Sequence, residues 1–460
     1  MRLLLSAFIL LSLISCTSNN IKEIKLGLHN NNRMQIQIDV LTSNPVEAYV
    51  EYWQDSNAVK KITSAISKKG MHHSLVLLNI LPKTNYHYRV VTINGDSKQI
   101  SKEYKFQSPE LPMWLQEQFK ATAPLPQLLP QNFKEGFMLL NKREAPGIAY
   151  IVDYNGRLRW YHTVDGTGFK VIHFTQDKTI ISILGKSDEP TSYGSEILEI
   201  NLNGDTVLHL KKGQGDFTST VHHEILKKND NAIVTLFVDQ RIMDLSSIGG
   251  KVKDTVNGDG IMIMDRNGKK LWQWTVFDVL NPFDDKQLLK DKNDWMHANS
   301  LNYDKDSNYL ISFYNSGQIW KVNAQTGQVM WKMGKGGNIA LPAECDFTQS
   351  HAVHINPYGR LMFFDNGVEK HQSEVFALKM DEANKKAFVD LRIKLPQEIY
   401  NDRMGSAYMV NDTTVLCCSS KRHISVLANA KGVLLWTLDT AIPPYRVEFL
   451  SADKLKPWLN

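Results

Sequence analysis

Apolar and polar residues alternate in short runs along almost the whole chain, and scarcely any stretch sustains a helical period, so the pattern predicts an all-β protein. From about residue 21 to 108 the runs are strands such as Met34-Gln35-Ile36-Gln37-Ile38 and Ala48-Tyr49-Val50-Glu51-Tyr52, parted by polar turns, which reads as a small β-sandwich. Residues 109–135 hold Pro112, Pro124, Pro126 and Pro130; proline interrupts helix and central strand alike, so a linker is expected there. From Gly136 onward one phrase recurs: DYNGRLRW (153–160), NLNGDTVL (201–208), DRNGKKLW (265–272), NAQTGQVMW (323–331) and ANAKGVLLW (428–436). Each is a glycine turn leading into a strand that ends on a large apolar residue, and a degenerate copy runs from Met380-Asp381-Glu382 into Phe388-Val389-Asp390. Most copies lie roughly fifty to sixty residues apart, room for about four strands, the size of a propeller blade. Six copies over 136–455 predict a six-bladed β-propeller behind a small N-terminal β-sandwich.

Composition changes the picture little. The 460 residues carry 53 Lys+Arg against 48 Asp+Glu, a net charge of +5, too even for the concentrated basic face of a nucleic-acid binder. With 42% hydrophobic and 22% charged residues the chain fits neither long disorder nor a polytopic membrane protein. Residues 1–16 are different: Arg2, then the apolar run LLLSAFILLSLIS, too short to span a bilayer, make a signal peptide. Leu13-Ile14-Ser15-Cys16 resembles the lipobox of bacterial lipoproteins, which implies an acylated Cys16, a membrane partner through a lipid anchor, and a place in the cell envelope. Of the other cysteines, Cys417 and Cys418 are adjacent on a strand and point to opposite faces, so at most one of them pairs with Cys345. The segment from Ile80 to Tyr88 resembles the L-x-P-x-T-x-Y signature of fibronectin type III domains, in which the tyrosine hydroxyl (here Tyr86) ties down a loop; homodimerisation through this domain stays open.

The histidines carry the candidate chemistry. His223 stands eight residues before Asn231, His351 stands eight before Gly359, and His297 opens HANSLNYDKD with the same strand-then-turn layout; the next repeat puts Gly405-Ser406 there. Inner strands of a propeller line its axis, so equivalent positions in neighbouring blades converge, and three imidazoles meeting in a funnel point to function. Three imidazoles and a water form a catalytic zinc set. Asn299, two residues after His297, is instead a neutral donor suited to an anionic oxygen, and HHEILK lacks the second histidine of H-E-x-x-H. Asp304-Lys305-Asp306-Ser307-Asn308 opens like a calcium loop but continues with Tyr309 where glycine is required. No metal or nucleotide site is expected.

DWMHANSLNYD (294–304), TQSHAVHINPYGRLMFFDNG (348–367), HHEI (222–225), GSAYMV (405–410) and YRVEFL (445–450) together resemble the bacterial arylsulfotransferases of the arylsulfate sulfotransferase type, over most of 136–450. The resemblance implies transfer of a sulfuryl group from a phenolic sulfate to a phenol without a cofactor, through a sulfated histidine. It places the nucleophile at His351, the H-x-N pair at His297 and Asn299, and a further pocket histidine at His223. On that reading His297 protonates the leaving phenol, and Asn299 and His223 donate to the sulfuryl oxygens. One departure stands out: where the family carries an arginine shortly after H-x-N, this chain has Tyr314 or Asn315. Arg403, near Ser406, is a candidate replacement cation, and Ser406, Tyr314 and Asn315 are candidate substrate contacts. The alternative class is a non-catalytic lipoprotein propeller that binds an anionic (sulfated) ligand or glycan.

Overall fold

The structure, a computed structural model, describes residues 20–29, 32–190 and 192–456; the signal segment and Cys16 lie outside the described residues. Six antiparallel sheets of four or five strands follow one another from Phe137 onward, the six blades of a β-propeller. Each repeated glycine phrase is the turn between the third and fourth strands of its blade. Gly156, Gly204, Gly268, Gly327 and Gly432 all take positive φ there, and the degenerate copy puts Lys385 in the same left-handed conformation at φ 53°, which costs an ordinary residue roughly 1–2 kcal/mol that glycine avoids. Strands packed between neighbouring blades are buried throughout, as in Thr179–Gly185, which is buried at every position. Outermost strands such as Thr206–Lys211 alternate exposed and buried residues.

The ring closes by a strand exchange. Val447–Leu450 pairs with Phe137–Lys142, so the innermost strand of the first blade comes from the far end of the chain. Inner strands of successive blades then touch in order around the axis.

The expected linker is part of this ring. Phe119–Thr122 pairs with Leu434–Thr440 as a fifth, outermost strand of the last blade, and wholly buried Phe133 packs on Trp436 with ring centroids 5.0 Å apart. The prolines exclude a central strand, but the run between Pro112 and Pro124 contains none and suffices for an edge.

In the N-terminal domain the long strand Asn32–Gln54 serves both layers. Its first half pairs with Ile21–His29 and Gly70–Leu77, its second with Asn85–Asn94. The Tyr86 hydroxyl accepts the Leu81 N–H at 2.9 Å. The domain docks on the first two blades: Asn32 Nδ2 donates to the Tyr161 carbonyl and Gln35 Nε2 to the Leu202 carbonyl, both at 2.7 Å. Val76 and Leu78 join an apolar cluster with Phe137, Trp160 and Leu198. Cys345, Cys417 and Cys418 are free and buried. Cys417 and Cys418 pack into different clusters on opposite faces of their strand.

Candidate active site

At one mouth of the axis the inner strands depart from regular pairing. The ladders slip between His222 and Ile225, between Ala298 and Ser300, and between His351 and His354. Such bulges turn a side chain away from the alternation of the strand. His223 and His297 take left-handed φ of 54° each, and in the fifth blade Ala352 does so at 52°. His351 therefore stands one residue before the position held by His223 and His297. Equal spacing to the following turn hides this offset, because the bulges differ in detail.

His223, His297, Tyr314 and His351 form an arc, with ring centroids 5.0, 5.4 and 5.6 Å apart in that order. They face a cavity of about 790 Å³ that Arg143, Asn315, Arg403, Lys421 and Tyr445 also line. His351 Nδ1 is 2.6 Å from Asn366 Oδ1. The Asn366 amide nitrogen donates to the Asn401 and Met404 carbonyls at 2.7 and 2.9 Å, so its oxygen must face His351 and accept. His351 therefore carries its proton on Nδ1 and a lone pair on Nε2, which no group among the described residues hydrogen-bonds. Burial first, then the charges of His297 and Arg446, hold its pKa well below the usual value, so the ring is neutral.

His297 is held differently. Its Nδ1 lies 2.5 Å from Asp294 Oδ2. Burial disfavours its charge, but the bond to Asp294 and the Asp294 and Asp259 charges outweigh that and raise its pKa, leaving an imidazolium with a proton free on Nε2. His223 Nδ1 contacts His222 Nδ1 at 2.9 Å; burial and the neighbouring histidines push its pKa far down.

Two expected residues do not face the cavity. Asn299 is fully buried, its amide donating to the Ser350 carbonyl at 2.9 Å and its oxygen accepting from the Ser312 hydroxyl. It ties the fourth blade to the fifth beneath His351, because the bulge between Ala298 and Ser300 rotates it off the face that i+2 spacing implies. Ser406 is also fully buried and bonds both ways with the Val447 backbone, stapling the last blade to the first. Tyr314 and Asn315 line the cavity but are committed: the Tyr314 hydroxyl donates to the Asp402 carbonyl at 2.8 Å and Asn315 Nδ2 to the Asp294 carbonyl at 2.7 Å. Burial and the nearby Asp402 charge push the Tyr314 phenol up to about 12. Arg403 lines the rim with an exposed side chain.

Three residues escaped the sequence. Arg143, directly after the first strand of the ring, points its guanidinium over the Tyr445 ring at 4.9 Å and lines the cavity. Arg446 lies under the arc, donating to Glu224 at 2.6 Å and to the Asn299 carbonyl at 2.9 Å. Asn366 fixes His351. A lone arginine at a strand exit has no periodic signal, whereas Arg446 and Asn366 sit in YRVEFL and the D-N-G turn. The Asp304–Asp306 turn holds the Lys321 ammonium, 2.7 Å from each carboxylate, in place of any calcium. Among the described residues no group of three or more His, Cys, Asp or Glu is disposed to hold a metal ion.

Solved structures resemble the chain only distantly. A protein of unknown function from Bacteroides caccae is 10% identical and covers 69% of this chain and 99% of its own, with a TM-score of 0.41. Virginiamycin B lyase from Staphylococcus aureus is 8% identical, covers 70% of this chain and 99% of its own, and scores 0.33. No curated protein matches. The family model for arylsulfotransferase (ASST) does match, over residues 126–393, more than half the chain, and the protein belongs to that family.

Proposed function

We propose that the protein is an arylsulfate sulfotransferase that passes a sulfuryl group from a phenolic sulfate to a phenol through a covalent adduct on His351 Nε2, with no nucleotide cosubstrate. The observation that carries this reading is the locked Asn366 amide, which fixes the lone pair of His351 on the cavity side. Nε2 attacks sulfur, the S–O bond to the aryl group breaks, and the phenolate takes the Nε2 proton of His297. Asn366 is a neutral amide and cannot remove the Nδ1 proton, so the sulfated ring stays an imidazolium and is a good leaving group for the second transfer. Charge in the loose transition state lies on the sulfuryl oxygens, where positioned cations act. Arg143 and Arg403 supply them from the rim and Arg446 from below, in place of the arginine that Tyr314 displaces. Acylation at Cys16 would hold this chemistry in the cell envelope, where nucleotide donors are scarce.

The test is intact mass and phenol release after incubation with a nitrophenyl sulfate. The wild-type protein gains one sulfuryl mass on the His351 peptide and releases phenol faster when an acceptor is added. His351→Ala does neither. Saturable binding with no adduct and no product would instead identify an anion-binding propeller, and full turnover by His351→Ala would sink the assignment.

A further inference from the structure

Behind His223 runs a line of buried polar groups that the reaction as written leaves idle. The 2.9 Å contact between His223 Nδ1 and His222 Nδ1 holds one proton between two nitrogens. At the far side of the second ring, His222 Nε2 lies 3.3 Å from Asp259 Oδ1, outside full hydrogen-bond geometry. Among the described residues, neither His222 Nε2 nor Asp259 Oδ2, both buried, has a hydrogen-bond partner. Buried polar atoms left unpaired are rare and call for an explanation; here they sit at the inner end of a chain whose outer end opens on the cavity. The short strand Tyr193–Gly194 pairs over this segment, and the Tyr193 ring covers His222 at 5.6 Å between centroids. Asp259 thus communicates with the cavity through the two imidazoles.

Resting on the sulfotransfer reading, we infer that Asp259, His222 and His223 form a relay that takes the acceptor phenol's proton in the second half-reaction, with His223 Nε2 as the base and His222 and Asp259 as positioning residues behind it. In the resting state Asp259 is a carboxylate, His222 carries its proton on Nε2, and His223 carries its own on Nδ1, which leaves the His223 Nε2 lone pair facing the cavity. As the phenol oxygen forms its bond to sulfur, the S–Nε2 bond of sulfated His351 breaks and that electron pair returns to His351. The phenol proton goes to His223 Nε2. The His223 Nδ1 proton passes to His222 Nδ1, and the His222 Nε2 proton passes to Asp259 Oδ1. Reversal of these shifts then returns the proton from His223 to His297, whose ring is 5.0 Å away and which gave up its own proton to the donor's leaving oxygen. One proton lost and one gained close the cycle.

The surroundings agree with this division of roles. His223 is kept neutral by burial first and then by the His297 charge beside it, while Asp294 keeps His297 protonated; titratable groups pushed apart in this way take opposite roles. Asp259 is faced by Asp294 and His297 and by the backbone amides of His297 and Ala298. Burial, with the Asp294 charge, brings it up to about 7, so it can take and release a proton near neutrality.

In a ping-pong reaction kcat/KM for the donor and kcat/KM for the acceptor report separate half-reactions, and that separation makes the relay testable. In the full-length protein, His222→Gln should lower acceptor kcat/KM on the order of 10²-fold for weakly acidic phenols while donor kcat/KM changes less than about twofold. Acidic nitrophenols, which need no base, should restore the variant nearly to wild type. Asp259→Asn should give the same acceptor-side loss, with a smaller donor-side loss confined to alkaline pH because its charge also supports the His297 proton, and it carries the test if His222→Gln does not fold. Equal losses on both sides, or a loss independent of acceptor acidity, would overturn the relay. A wild-type protein that forms no adduct on His351 refutes the sulfotransfer reading and the relay with it, whereas adduct formation with an unaffected acceptor side refutes the relay alone.

Discussion

His297 and His351 stand one blade apart on the same mouth of the ring, each held through Nδ1, yet the fourth blade holds its histidine with a carboxylate and the fifth with an amide. Asp294 stabilises the charged ring, which suits it to the acid of the proposed reaction. Asn366 accepts one hydrogen bond without adding charge, and burial then keeps the ring neutral, as the proposed nucleophile requires. One side chain type is held in two opposed states because the partner behind it differs by a single functional group.

Exchanging the partners tests this most severely. Asn366→Asp would make the fifth blade resemble the fourth: a carboxylate next to a buried imidazole favours its charged form by one to three pKa units, so the acid limb of donor kcat/KM should move up by that much, a loss on the order of 10²-fold on that limb that recovers as pH rises. The new carboxylate also meets the Asn401 and Met404 carbonyls, so a lower Tm should accompany it and is measured separately. Asp294→Asn is the converse exchange. In the wild type, donor kcat/KM needs neutral His351 and charged His297, so activity falls at low pH through a pKa well below 6.5 and at high pH through one above 6.5. Loss of Asp294 should move the alkaline limb down, with about a tenfold decrease above neutrality that is greatest for poorly acidic leaving phenols. An unmoved limb would mean that His297 is not the acid. The smallest effect is expected from Arg143→Ala, roughly tenfold on donor kcat/KM with pH limbs unchanged, since Arg403 and Arg446 remain.

The blade count was legible because a glycine turn between third and fourth strands leaves a mark at every repeat, and even the degenerate copy kept the turn, with Lys385 in the glycine conformation. The histidines were legible for the same reason of period. Asn299 was misread because alternation along a strand fails at a bulge, and a bulge has no sequence signature of its own. Asn366 was quoted only as part of a turn; its role rests on two carbonyls from residues 401 and 404, which only folding brings to it. Arg143 belongs to no repeat, and becomes part of the cavity only when the ring closes. The linker was overread, since prolines were counted without noticing the proline-free run that makes an edge strand.

That closure has a consequence for the order in which the protein becomes an enzyme. The blade that begins at Phe137 lacks its inner strand until Val447–Leu450 arrives, and Tyr445 and Arg446 arrive with it. During synthesis the three pocket histidines are therefore in place on the chain long before the cation beneath them, and a pairing between the two ends of the ring is slow to form. A chain cut short before residue 445 would keep five whole blades, three strands of the first and the proposed nucleophile, but neither the seal nor Arg446. On the proposed mechanism, reactivity arrives with the last stretch of chain, and an incompletely made molecule is a silent one.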